Sequence, residues 1–176
     1  MHVPVLKDET LELLAVRRGG RYIDGTVGLG GHTEAMLEQS APDGVVLGID
    51  RDPAALAQSA RRLSGYGARV MFQHGNYADV EQVAAEMNFQ PVDGILLDLG
   101  VSSMQLDEAG RGFSFMRDGP LDMRMDTTQE TTAATLVNRL GEAELADLIF
   151  RLGEEPMARR IAAAVVRERQ AAPITT

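Results

Sequence analysis

Asp24-Gly25-Thr26-Val27-Gly28-Leu29-Gly30-Gly31-His32-Thr33 is the stretch around which this 176-residue chain is organised. A short apolar pair, Tyr22-Ile23, runs into it, and a helix-like run from Glu34 to Gln39 leaves it. Four glycines in seven positions between a strand and a helix let the backbone turn sharply and approach a ligand with no Cβ in the way. The following helix directs its free N–H groups and positive dipole end at the same place. This is how a doubly wound sheet cradles a nucleotide-like cofactor. A tight glycine turn without a ligand is the competing reading of the glycines alone.

What the stretch lacks narrows the ligand. A dinucleotide site wants G-x-G-x-x-G. Gly28 and Gly30 supply the first pair, but Thr33 stands at the third position. Asp24 stands just before the turn, where a pyrophosphate would be repelled. A carboxylate there suits a cationic amino-acid group, such as the methionine end of S-adenosylmethionine, and makes NAD-dependent oxidoreduction the weaker reading.

Outward from the turn, strands and helices alternate. A first helix is expected over Lys7 to Val16, after an extended Val3-Pro4-Val5-Leu6. Val45 to Asp50 reads as a second buried strand. Asp52-Pro53 opens a helix, with Asp52 as N-cap and Pro53 at the first helical position. Arg69 to His74 and Val92 to Leu99 read as strands three and four, with a helix from Val80 to Met87 between them. Such alternation implies right-handed crossovers and a parallel α/β sheet. From Gly100 to Asp126 no period is visible, yet Phe113, Phe115, Met116, Leu121, Met123 and Met125 are too apolar for a linker. An ordered loop over the carboxyl edge of the sheet is expected there. Helical runs at Ala133 to Arg139, Glu142 to Leu152 and Pro156 to Gln170 follow.

Composition excludes several classes. Hydrophobic residues make up 44% of the chain, a globular value. No run approaches a membrane span, and the N-terminal residues carry no signal-peptide pattern. The absence of cysteine excludes disulfides and thiolate metal sites and fits a cytoplasmic location. A net charge of −9 argues against a general nucleic-acid coat. The charge is uneven: residues 1–110 carry 8 basic and 16 acidic side chains, whereas 111–176 carry 9 arginines and 10 acidic side chains. If RNA is bound, the later, arginine-bearing part is the expected contact, but from charge alone an ordinary solvated helical surface is the preferred reading. His2, His32 and His74 lack ligand spacing, so no metal is expected.

Ligands of open α/β sheets sit beyond the carboxyl ends of the strands. Gly30, Gly31 and His32 follow strand one, Asp50 ends strand two, Tyr77 follows strand three and Asp98 ends strand four. Asp50 can accept two ribose hydroxyls, Tyr77 can pack against adenine, and Asp98 can face a cationic group or an incoming base. Singly, each has an ordinary structural reading: a helix cap for Asp50, a core ring for Tyr77, a helix-start contact for His32.

These residues, with Asp93-Gly94-Ile95-Leu96-Leu97-Asp98-Leu99-Gly100-Val101-Ser102-Ser103, Gln105-Leu106-Asp107, Arg111-Gly112-Phe113-Ser114-Phe115 and Asp118 to Asp126, resemble the MraW (RsmH) family. The resemblance implies a Rossmann-like S-adenosylmethionine-dependent methyltransferase core, with strands one to four present, and the start of an inserted helical domain. It implies a core over 1–126, including the loop 100–126, and a partial insert over 127–176. It implies methyl transfer to a cytosine N4 amine of small-subunit ribosomal RNA. Cofactor positions carry over to Gly30, Gly31, His32, Asp50, Tyr77, Asp98 and Gln105, and Asp98 is the candidate catalytic residue. Phe113 or Phe115 is expected to stack on the base. Arg111, Arg117 and Arg124 either contact RNA or pin the loop by pairing with Asp118, Asp122 and Asp126. The family is considerably longer, with Thr176 falling inside the expected insert. The alternative is a catalytically inactive module that binds cofactor or a partner.

Overall fold

The computed structural model describes Pro4 and residues 6–176. Val3 and Val5 of the extended segment expected at Val3–Leu6, and His2, lie outside the described residues. Leu6 itself is left-handed and precedes the first helix. By compactness the chain divides into two units, Met1–Gly100 and Val101–Thr176.

The first unit is a four-stranded parallel sheet in the order β3-β2-β1-β4, formed by β1 (Arg21–Asp24), β2 (Val45–Asp50), β3 (Val70–His74) and β4 (Gly94–Leu96). Order reverses between β1 and β4, which makes their tips the switch point of a Rossmann-like sheet. Helix α1 (Lys7–Leu13) precedes β1, and α2 (Gly31–Gln39), α3 (Pro53–Arg62) and α4 (Val80–Glu86) connect the strands.

Strand residues alternate between two cores, as a pleated strand covered on both faces requires. Tyr22 and Val46 join Leu11, Met36, Leu37 and Leu63 on one face. Ile23, Leu47 and Ile49 join Val83, Ala84 and Phe89 on the other. Tyr22, Met36, Leu37, Leu47, Ile49 and Phe89 are fully buried. Each such side chain contributes roughly 1.5–3 kcal/mol by burial. Phe89→Ala, which would leave a cavity under β1 and β2, is the single change best placed to break the second core.

Most expected boundaries hold, and the departures have local causes. The first helix ends at Leu13 rather than Val16, because Ala15 is left-handed. Strand four is three residues long instead of eight. Beyond Leu96 its backbone leaves the ladder, and the Asp98 N–H goes to a side chain, the Thr26 hydroxyl at 2.7 Å. Before Gly94, the Asp93 carboxylate is held by the Arg17 side chain at 2.6 Å and the Arg21 N–H at 2.8 Å.

The second unit contains α5 (Ser103–Asp107), α6 (Ala133–Arg139), α7 (Glu142–Gly153) and α8 (Ala158–Arg169). Leu145 of α7 and Ala158 and Ala162 of α8 are buried, the small alanines letting the helices approach closely. The aperiodic segment groups with these helices. Leu121 donates its N–H to the Thr175 carbonyl at 2.8 Å, and Ala133 and Ala134 donate to the carbonyls of Asp122 and Leu121. Among the described residues, no helix is long and apolar enough to cross a membrane.

Candidate functional site

The loop after β1 is fastened to both neighbouring strands. Toward β4, Gly25 donates its N–H to the Leu96 carbonyl at 2.9 Å. Toward β2, Val27 donates to the Ile49 carbonyl at 3.2 Å and Gly28 to the Asp50 carboxylate at 2.7 Å. Ser59, far along α3, donates its hydroxyl to the Gly28 carbonyl at 2.7 Å. Gly28 and Gly30 have φ of 53° and 79°, the left-handed region where glycine is least strained. A Cβ on Gly31 would stand 2.5 Å from the Pro4 ring. The loop is thus held in shape by the protein's own bonds, with Gly30 immediately before the N-terminus of α2.

Asp24 closes β1 and is 1% exposed. One carboxylate oxygen accepts the Thr26 N–H at 3.2 Å and the other accepts the Thr33 hydroxyl at 2.6 Å. Burial pushes its pKa up to about 6; the bonds from Thr33 and Thr26 oppose this, and the charges of Asp50 and Asp98 add to it. The sequence suggested a carboxylate facing a cationic ligand. The structure instead gives Asp24 to the loop, which it ties to the first turn of α2.

Asp50 ends β2 and is partly buried, with its pKa raised chiefly by that burial. Its oxygens take the N–H groups of Gly28 and, at 2.9 Å, Asp52. Asp52 caps α3 by accepting the Ala54 N–H at 3.0 Å, with Pro53 at the first helical position, as its sequence context required. Tyr77 opens a short turn of 3-10 helix after β3 and is 36% exposed. Its Cβ would stand 3.2 Å from a Cβ built on Gly25, which puts the ring's attachment point beside the glycine loop.

Asp98 follows β4 with its side chain 59% exposed. His32, in the first turn of α2, brings Nε2 to 3.7 Å from the Asp98 carboxylate. The imidazole is only 11% exposed, and its Nδ1 is buried with no hydrogen-bond partner among the described residues. Burial lowers the His32 pKa and the Asp98 charge opposes that. Among the described residues, His32 is the one basic side chain in ion-pair range of Asp24, Asp50 or Asp98.

Gly30, Gly31, His32, Asp50, Tyr77 and Asp98 therefore gather at one edge of the first unit. Gln105 belongs to the second unit. There it is buried in α5, where its side chain accepts the Ser102 N–H and its own N–H goes to the Ser102 hydroxyl. That capping box was legible as Ser-x-x-Gln and was not read. Thr26, Thr33 and Ser59 were also missed. Their signal, hydroxyls that bond a distant loop, has no sequence period.

The three arginines of the aperiodic segment are used internally. Arg111 is buried and donates to the carbonyls of Arg124 and Met125 at 2.9 and 3.0 Å. Arg117 donates to the Asp107 carbonyl, and Arg124 forms a two-pronged pair with Asp122 at 2.9 and 2.6 Å. Of the two readings left open, loop pinning describes their contacts. Of the expected carboxylate pairings, Arg124 with Asp122 is seen. Phe115 and Met116 remain almost fully exposed.

The edge as built fits a ligand with hydroxyls and a cationic end. Carboxylates dominate it, a buried imidazole nitrogen awaits a partner, and the glycine loop is already shaped. The sequence model of the MraW methylase family matches residues 1–176. A ribosomal RNA small subunit methyltransferase H of Syntrophobacter fumaroxidans is 56% identical over 172 residues, covering 98% of this chain and 54% of the relative. One from Nitratidesulfovibrio vulgaris is 55% identical over 177 residues, covering 100% of this chain and 49% of the relative. The chain thus spans about half the length of the curated relatives it matches. Among solved structures, a protein-L-isoaspartate O-methyltransferase overlaps 56% of this chain and 30% of its own at 21% identity, with a TM-score of 0.46.

Proposed function

Because the chain belongs to the MraW methylase family, we propose that it holds S-adenosylmethionine at the tips of β1, β2, β3 and β4, and that it carries the cofactor-binding part of an enzyme methylating small-subunit ribosomal RNA. The observation that carries this reading is the convergence of Gly30, Asp50, Tyr77 and Asp98 around a loop that is already bonded in place. Asp50 holds the ribose hydroxyls through lone pairs left after its two backbone bonds. Tyr77 packs against adenine, and its exposure is that of a ring with one face free. His32 Nδ1 and the α2 N-terminus serve the polar end, and Asp98 faces the cationic end. Gln105 is assigned to the cofactor from the family pattern alone.

When bound, the cofactor supplies an electrophilic methyl group on a sulfonium. The finer reading places the acceptor at a cytosine N4 amine in the decoding region. That amine is a poor nucleophile, because its lone pair is delocalised into the ring. Asp98, or the carbonyls of Leu99 and Gly100, can accept its N–H groups and so favour the reactive pyramidal form. Alignment at short distance supplies most of the acceleration in such a displacement. Phe113 or Phe115 is the proposed stacking ring for the target base. The core over 1–126, with its loop 100–126, and the partial insert over 127–176 remain the proposed division, although by compactness the segment after Gly100 groups with the helices; no metal is invoked, and a cytoplasmic location is part of the proposal.

Methyl transfer to small-subunit ribosomal RNA, measured for this chain beside a relative of full length, tests the reading. Labelling of a cytosine N4 by both supports it in full. Labelling by the relative alone supports the second reading, a binding module without turnover. Labelling at a different atom would overturn the cytosine assignment.

A further inference from the structure

We propose that Thr26 is a positioning residue, whose hydroxyl fixes the tip of β4 so that the Asp98 carboxylate stands beside His32 and toward the cofactor's cationic end. The inference rests on the cofactor reading above and assigns a residue that reading leaves without a task.

The geometry is a short relay across the switch point. After the Gly25 to Leu96 bond, β4 runs out of backbone partners on β1. The Asp98 N–H turns to Thr26 Oγ1 at 2.7 Å, so a side chain replaces the missing ladder acceptor. Thr26 is anchored in turn, since its own N–H is held by Asp24 at 3.2 Å and Asp24 is buried and bonded to Thr33. A β-branched side chain with few χ1 options makes a stiff link between the two. The Asp98 side chain is mostly exposed, and His32, its ion-pair neighbour among the described residues, is at 3.7 Å too far for a hydrogen bond. The backbone bond to Thr26 is therefore the contact that determines where this carboxylate stands. Nothing in the loop's glycine pattern requires a hydroxyl at this position, because a β-branched apolar residue would fill the same space.

Valine and serine separate hydroxyl from shape. Thr26→Val keeps the volume and removes the acceptor, whereas Thr26→Ser keeps the acceptor and removes the methyl group. The first readout is the titration of the His32 imidazole followed by NMR in the chain without ligand. Asp98 is the titratable neighbour that raises it. Thr26→Val is expected to lower the His32 midpoint in the direction of Asp98→Asn, and Thr26→Ser to leave it in place. The second readout is the affinity for S-adenosylmethionine by calorimetry. A drop of about tenfold is expected for Thr26→Val, the size of one net hydrogen bond, and less than about twofold for Thr26→Ser. An unmoved His32 titration in Thr26→Val would overturn the proposal, as would equal shifts in both variants, which would make the role one of packing. If the unsubstituted chain takes up no S-adenosylmethionine, the cofactor reading fails. The imidazole titration, read without ligand, then still upholds or overturns the coupling of Thr26 to Asp98.

Discussion

Asp24 shows how a single carboxylate can be well chosen by its position and still misread. Its place at the end of β1 marked it as part of the site. Its neighbours Thr26 and Thr33 then claimed both oxygens, because a group this deeply buried must satisfy them internally. Its pKa of about 6 against an ordinary 3.8 has a definite sign for stability. The native state holds a proton that the unfolded state has already released, so this group's contribution falls as pH rises from about 4 through about 6 and is level above that. The full span corresponds to about 3 kcal/mol at most. Asp24→Asn is expected to remove this slope, so that melting temperatures of variant and parent converge below pH 4 and the variant gains relative to the parent by pH 7. Parallel slopes across pH 4–7 would show that Asp24 is ionised throughout. At the same scale, Asp50→Ala is expected to weaken S-adenosylmethionine binding by tenfold or more, read by calorimetry, since it removes both a hydroxyl acceptor and the bond to Gly28. Asp98→Asn retaining both affinity and turnover in a relative of full length would remove Asp98 from the mechanism. Of the residues proposed to touch the ligand, Gly30, Asp50, Tyr77 and Asp98 were legible because each closely follows or closes a strand. The hydroxyls that hold them were not, because their partners are remote in sequence: Ser59 and Gly28 are 31 positions apart.

At the scale of elements, patterning located the strands and most helices. Val45–Asp50 and Ala133–Arg139 match their expected bounds. Strand four was overestimated because its apolar run continues past the point where a backbone partner exists. Ile95, Leu97 and Leu99 are exposed. The aperiodic segment hid α5 and a turn of 3-10 helix, since five- and three-residue helices show no period. Its order comes instead from Arg111, whose guanidinium replaces a missing ladder by bonding the carbonyls of Arg124 and Met125. Arg111→Ala is expected to destabilise the second unit by about 2 kcal/mol, the worth of charged hydrogen bonds left unmade. Hydrogen exchange should accelerate at residues 111–126 while β1 and β2 stay protected. Unchanged exchange there would show that the segment is held by its apolar residues alone.

For the whole molecule, β4 is an edge strand of the first unit's sheet among the described residues. It adjoins a groove of about 580 Å³ lined by Ile23, Val80, Ala84, Pro91, Val92 and Ile95. An unpaired strand edge bordered by apolar residues favours association. The isolated chain is therefore expected to self-associate as its concentration rises, and Ile95→Glu, on β4 and in the groove wall, to suppress this, as followed by light scattering. Association untouched by that substitution would locate it elsewhere. The groove was not legible in the sequence, because its walls, Val80 and Ala84 of α4 and Ile95 of β4, are brought together only by the fold. The central claim is that separate strand tips of one parallel sheet converge on a single adenosyl cation. Calorimetric titration of this chain with S-adenosylmethionine and, separately, with NAD tests it most directly. The account predicts saturable one-to-one uptake of S-adenosylmethionine and no heat of binding from NAD; equal binding of both, or uptake of NAD alone, would contradict it.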